Sequence, residues 1–146
     1  MASMFTRPVR VLSALALSCL IIVNPALSDV VPPPGPAVVM RIIDGDTLRV
    51  RLPGGKRART IRLRDVDAPE IKGRCPAEIA LAQRAKAELE RLAPVGSTVM
   101  LSATKGDKYQ GRIDAKVAGP SGDVSAALLA AGLARPYSGG SRRTWC

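Results

Sequence analysis

The sequence predicts an α+β, mainly β domain, a five-stranded barrel of the OB type carrying two to three helices. Three observations lead there. Five short segments alternate apolar and polar residues with the period of a strand, and glycine and proline clusters punctuate them. One longer segment after the third strand repeats apolar residues at helical spacing. With 146 residues, the chain has length for one domain.

At the N-terminus, Arg7 and Arg10 precede an apolar run from Val11 to Val23 that ends in small residues around Ala26-Leu27-Ser28. This reads as a secretory signal peptide over residues 1–28, cut before Asp29. The run is shorter than the ~20 residues a bilayer span needs, so no stable membrane association is expected once the leader is gone. Residues 29–36, with Pro32-Pro33-Pro34-Gly35-Pro36, read as a stiff extended linker. The folded domain is then expected over residues 37–137, followed by a glycine-rich polar tail, 138–146.

Within the domain, 37–43 reads as a first strand and 47–52 as a second, in which Leu48, Val50 and Leu52 alternate with Arg49 and Arg51. Pro53-Gly54-Gly55 turns the chain into a third strand, 58–66, where Ile61 and Leu63 alternate with Arg62 and Arg64. Pro69 ends that ladder. Pro76 suits a first helical turn and opens a helix to Leu92, with Leu81, Ala85, Leu89 and Leu92 on one face. Strands follow at 97–102 and 112–117, then a short alanine-rich helix, 124–131, stopped by Gly132.

The chain carries 22 Lys and Arg against 12 Asp and Glu, and loss of the leader leaves it strongly basic. Such a charge attracts polyanions, nucleic acid first among them. Histidine is absent, which excludes imidazole-based nucleases, Ser-His-Asp hydrolases and His-ligated zinc sites. Cys75 and Cys146 are the pair left after the leader is removed, and in an oxidising compartment such a pair becomes a disulfide. That bond would tie the tail to the segment just beyond Glu70.

Against this basic background stand two acidic runs, Asp44-Gly45-Asp46-Thr47 and Arg62 to Glu70. Crowded carboxylates repel one another, and a hard cation is the commonest reason to gather them. A meander of the first three strands brings Asp46 and Asp67 to one end of the barrel, where they suit a divalent ion, with Asp44 and Thr47 orienting them. Arg62 and Arg112 could then grip a phosphate, and Glu70 could orient or deprotonate a water. Lys56, Arg57 and Arg59 read as a solvated or substrate-steering surface.

These segments, together with Asp107-Lys108-Tyr109 and Gly111-Arg112, resemble the motifs of the staphylococcal nuclease family over roughly residues 38–137. The resemblance implies an OB barrel and calcium-dependent hydrolysis of DNA and RNA to 3′-phosphate ends. It implies Ca²⁺ held by Asp46, Asp67 and the Ala68 carbonyl, Arg62 and Arg112 on the phosphate, and Glu70 as general base. Lys108 and Tyr109 would contact the nucleotide and Tyr137 would stack on a base. Ala68 stands where the type member has threonine, and Gln110 lengthens the tyrosine-glycine-arginine motif by one residue. A monomer is expected.

Other readings use the same residues. Glu70-Ile71-Lys72 with Asp46 superficially matches nucleases that place acid-x-Lys on a strand, against which Pro69 argues. A non-catalytic OB-fold module binding nucleic acid or a protein partner would want aromatic platforms, and beyond the leader only Tyr109, Tyr137 and Trp145 are aromatic.

Overall fold

The computed structural model describes residues 31–109 and 111–146; the expected signal peptide and Gln110 lie outside the described residues. In chain order the elements are β1 (Gly35–Ile42), β2 (Thr47–Arg51), β3 (Ala58–Leu63), β4 (Val66–Asp67), α1 (Pro76–Leu92), β5 (Thr98–Gly106), β6 (Arg112–Gly119), β7 (Gly122–Asp123), α2 (Val124–Ala130) and β8 (Arg135–Pro136). Five of these strands form a closed barrel. The antiparallel ladder runs β3-β2-β1-β5-β6, and β3 closes on β6 in parallel, with Ile61 opposite Ile113 and Arg62 opposite Asp114. Closure removes the free edges a sheet of this size would otherwise expose.

Alternation along each strand sends one set of side chains inward. Val39, Leu48, Val50, Ile61, Leu63, Val99, Ile113 and Val117 fill the barrel, with Ala85 and Leu89 of α1 and Leu128 of α2 against them. The fold class expected from the sequence is therefore the observed one, and the described residues hold two α-helices.

Four details differ from expectation. The third strand stops at Leu63 rather than Val66, because Asp65 turns the chain in the left-handed region (φ 66°), a conformation Asp tolerates better than most residues. The chain resumes as β4, pairing with β8, and Tyr137 N donates to Asp65 O at 3.0 Å. Asp67 thus sits on a separate short strand. The fourth strand runs on to Gly106 past an irregularity between Ser102 and Lys105, where Ala103 has φ 47°.

The proline-rich segment is not a free linker up to residue 36. Pro32 is buried and its carbonyl accepts from Thr104 Oγ1 at 2.7 Å, while Gly35 and Pro36 pair with Leu101 and Met100. Proline is admissible there, at the opening of a strand. The tail, expected to be tied by Cys146, is fastened at several further points described below.

Candidate active site

The β1–β2 loop is built around its two aspartates. Ile43 N and Asp44 N both donate to Thr47 O, and Asp44 Oδ1 accepts from Asp46 N at 3.1 Å, a side-chain-closed turn of the kind Asp favours. Gly45 lets this loop lie against the helix: a Cβ there would come 2.6 Å from Ala85 Cβ and 2.9 Å from Ala68 Cβ. Asp46 is consequently buried, as is Asp67.

The polar partners of these two buried groups interlock. Asp46 Oδ1 accepts from Thr47 Oγ1 at 2.9 Å, and Oδ2 accepts from the Ala68 amide at 3.0 Å. Arg62, on the face of β3 opposite Ile61 and Leu63 and between β2 and β6, places Nη2 3.1 Å from Asp46 Oδ2 and 3.4 Å from Asp67 Oδ1. Burial first, and the charge of Asp46 second, push the Asp44 carboxyl up to about 6. Two aspartates, Asp46 and Asp67, therefore converge on one guanidinium, and Asp44 braces the turn beside them. One oxygen each of Asp46 and Asp67 lies against Arg62 Nη2, so a cationic side chain stands where the two carboxylates converge. That all-oxygen donor set, with the neighbouring Ala68 main chain, fits a hard divalent cation.

Arg112 comes to the same cleft from β6. Asp107 accepts from its Nε, Tyr109 O accepts from its amide at 3.2 Å, and its guanidinium lies 4.6 Å from the centre of the Tyr109 ring. Lys108 Nζ is 5.1 Å from that ring. Burial opposes the charge of Asp107, yet Arg112 and the amides of Lys108 and Tyr109 keep its carboxyl below the ordinary range. The cleft, about 700 Å³, is lined by Asp44, Thr47, Arg62, Glu70, Tyr109 and Arg112 among others. Lys108 and Tyr137 line it too. Although the extra residue falls just before Gly111, Arg62 and Arg112 share one cavity.

Glu70 sits on an exposed loop after Pro69, so Glu70-Ile71-Lys72 is not on a strand. Its amide donates to Glu78 Oε1 at 3.3 Å, and Glu78 Oε2 accepts from Arg74 N at 2.8 Å. Glu78, buried in the first turn of α1, therefore shapes the loop that carries Glu70. Its position three residues after the N-cap Cys75 is the place a capping glutamate occupies, which is the sequence signal that points to it.

Asp114, Arg142 and Trp145 escaped the sequence reading as site groups, whereas Tyr137 and the Cys75–Cys146 pair did not. Asp114, opposite Arg62 in the β3–β6 ladder, lines the cleft, and burial followed by the charge of Asp107 raises its carboxyl. Arg142 sits between Asp67 and Glu70, with Nε 3.0 Å from Asp67 Oδ1 and Nη1 donating to Glu70 Oε1. Trp145 Nε1 donates to Asp67 Oδ2 at 3.3 Å. Tyr137 directs its hydroxyl to Gly140 O at 2.8 Å, with Arg142 5.9 Å from its ring. Cys75 and Cys146 are joined as a disulfide, Cα atoms 6.0 Å apart.

Fold and site together define an OB-type barrel that gathers carboxylates and arginines at one end of its strands. The family model of staphylococcal nuclease homologues matches residues 60–144, and the chain belongs to that family. The match spans Arg62, Asp67, Glu70, Arg112 and most of the tail, while Asp46 precedes it. No curated protein sequence shows significant similarity to the chain. A nuclease-type domain is what the family defines.

Proposed function

We propose that this protein is an exported, calcium-dependent nuclease that hydrolyses phosphodiester bonds of DNA and RNA and leaves 3′-phosphate ends. The observation that carries the reading is the position of Arg62. Its Nη2 reaches both buried carboxylates, Asp46 and Asp67, from a cleft that also holds Arg112 and Glu70.

Asp46, Asp67 and the Ala68 carbonyl are the groups that would hold calcium. When bound, the ion would supply Lewis-acid stabilisation of charge on a phosphate oxygen. Thr47 holds one oxygen of Asp46 and the Ala68 amide the other, so that carboxylate is oriented before any ligand arrives. Arg62 has further N–H donors beyond Nη2, and with Arg112 it offers forks to the non-bridging oxygens of a phosphate. Such donors stabilise the charge that builds in a five-coordinate transition state. Glu70 supplies a carboxylate to take the proton of the attacking water.

Around this centre, Lys108 and Tyr109 are assigned to a neighbouring phosphate, and Tyr137 to a base. Asp44 closes the turn that presents Asp46. Export is supported by the N-terminal leader and by the disulfide, a bond that persists in oxidising compartments.

The test is end-group analysis of single-stranded DNA and RNA after incubation with the purified protein and calcium. The proposal expects fragments from both whose 3′ ends release phosphate to a phosphatase. Fragments ending in 3′-hydroxyl, or intact substrate, would contradict it.

A further inference from the structure

The tail does more than close a covalent loop. Arg142 bridges a buried carboxylate, Asp67, and an exposed one, Glu70, whose side chain keeps 54% of its accessibility. Lone surface ion pairs contribute little, since each flexible side chain must be ordered to make one. Here the ordering is done by the surrounding tail. Cys146 is bonded to Cys75 at the start of α1, and Trp145 Nε1 donates to Asp67 Oδ2. Arg135 lies 3.7 Å from the Trp145 ring and donates from Nη1 to Thr144 O at 2.8 Å. Tyr137 OH closes the turn before Arg142 by donating to Gly140 O.

The barrel itself does not need this segment, because the hydrophobic core of the described residues ends at Ala134. What the fastenings achieve is the placement of one guanidinium. Without it, the like charges of Asp67 and Glu70 repel, and Glu70 on its exposed loop is free to turn away. We propose that the disulfide-tied tail is a working part of the site, delivering Arg142 as a positioning residue that fixes the Glu70 carboxylate beside Asp67. This rests on the nuclease reading above, in which Glu70 receives the proton. Turnover then depends on the Cys75–Cys146 bond, while the barrel keeps its fold, at lower stability, without it.

The chain's single tryptophan is Trp145, so its fluorescence reports tail docking independently of activity. The experiment compares full-length wild type with Arg142→Ala, Arg142→Lys, Cys146→Ser and the Arg142→Ala/Cys146→Ser double variant. Each is scored for kcat and KM on a single-stranded oligonucleotide and for acrylamide quenching of Trp145. Arg142→Ala is expected to lower kcat about 10–100-fold, the scale of a misplaced reacting group, with KM little changed. Arg142→Lys should recover part of that loss. Cys146→Ser should make Trp145 more quenchable and lower kcat to a similar degree, and the double variant should lose no more than either single one.

Undiminished or increased kcat in Arg142→Ala overturns the inference, the increase meaning that the tail obstructs the site. Losses that multiply in the double variant, or a Cys146→Ser protein with Trp145 still shielded and full kcat, overturn the role of the disulfide. Wild-type protein that cleaves nothing defeats the nuclease reading instead, and Trp145 quenching in oxidised and reduced wild type still reports whether the bond docks the tail.

Discussion

The amide of Ala68 donates to Asp46 Oδ2 across 3.0 Å, joining the two acidic segments through residues 22 apart in the chain. The bond fixes the β1–β2 loop to the end of β4. It also means that Asp46 is shaped by the protein before any cation meets it.

Asp46→Asn tests that arrangement. An amide oxygen still accepts from Ala68 N, so the fold should survive, but the charge that attracts a cation is lost. Wild-type protein should melt at higher temperature with calcium than with chelator, since a ligand that binds only the folded state stabilises it. In Asp46→Asn the two melting curves should coincide. Asp46→Ala should in addition cost about 1–3 kcal/mol in denaturant unfolding, because the buried Ala68 amide loses its acceptor.

Gly45→Ala probes the same loop from the helix side. A methyl group there would meet Ala85 and Ala68 closer than carbon atoms approach. Relief requires the loop to lift, and overpacking of this kind costs roughly 1–3 kcal/mol. The variant should show lower stability together with weaker calcium stabilisation, measured by the same melts.

Asp107 is expected to matter through Arg112. Its folded carboxyl titrates below the ordinary value, so its contribution to stability is fully present above the unfolded value of about 4 and is lost as pH falls through the lower folded value. In Asp107→Asn that acid-side component should vanish from unfolding measured against pH. With Arg112 no longer held, turnover should fall on the order of tenfold, less than in Arg112→Ala, where one of the two phosphate forks is gone and about 10²–10³-fold is expected.

Reduction of the disulfide should lower global stability as well as turnover. Cys75 and Cys146 are 71 residues apart, and closing loops of such size typically stabilises by roughly 2–4 kcal/mol. Urea unfolding with and without reductant measures the difference. Equal midpoints would show that the closed loop constrains the unfolded chain little.

Much of this architecture could be read before any coordinates. Leu48 and Val50, or Ile61 and Leu63, reveal their strands because period-2 alternation marks one face for the core, and Pro76 and Gly132 mark helix ends directly. The acidic runs stood out because crowded carboxylates on a basic chain call for cationic partners, and Arg62 is one that meets both Asp46 and Asp67. Less visible was anything that depends on distant chain segments meeting. The parallel closure that sets Asp114 opposite Arg62 has no local signature. The break at Asp65 depends on one backbone torsion. Arg142 and Trp145 belong to a polar, glycine-rich stretch whose sequence reads as a tail, and only the disulfide and the Asp67 contacts give it a place in the site.

The central claim is that Asp46 and Asp67 hold a calcium ion that lets Arg62, Arg112 and Glu70 hydrolyse a phosphodiester. Its most direct measurement is the cleavage rate of an end-labelled single-stranded oligonucleotide by the purified protein, in calcium and then in excess chelator. Cleavage in calcium that stops on chelation and returns when the ion is restored is the predicted result; equal rates in the two conditions, or none in either, would contradict it.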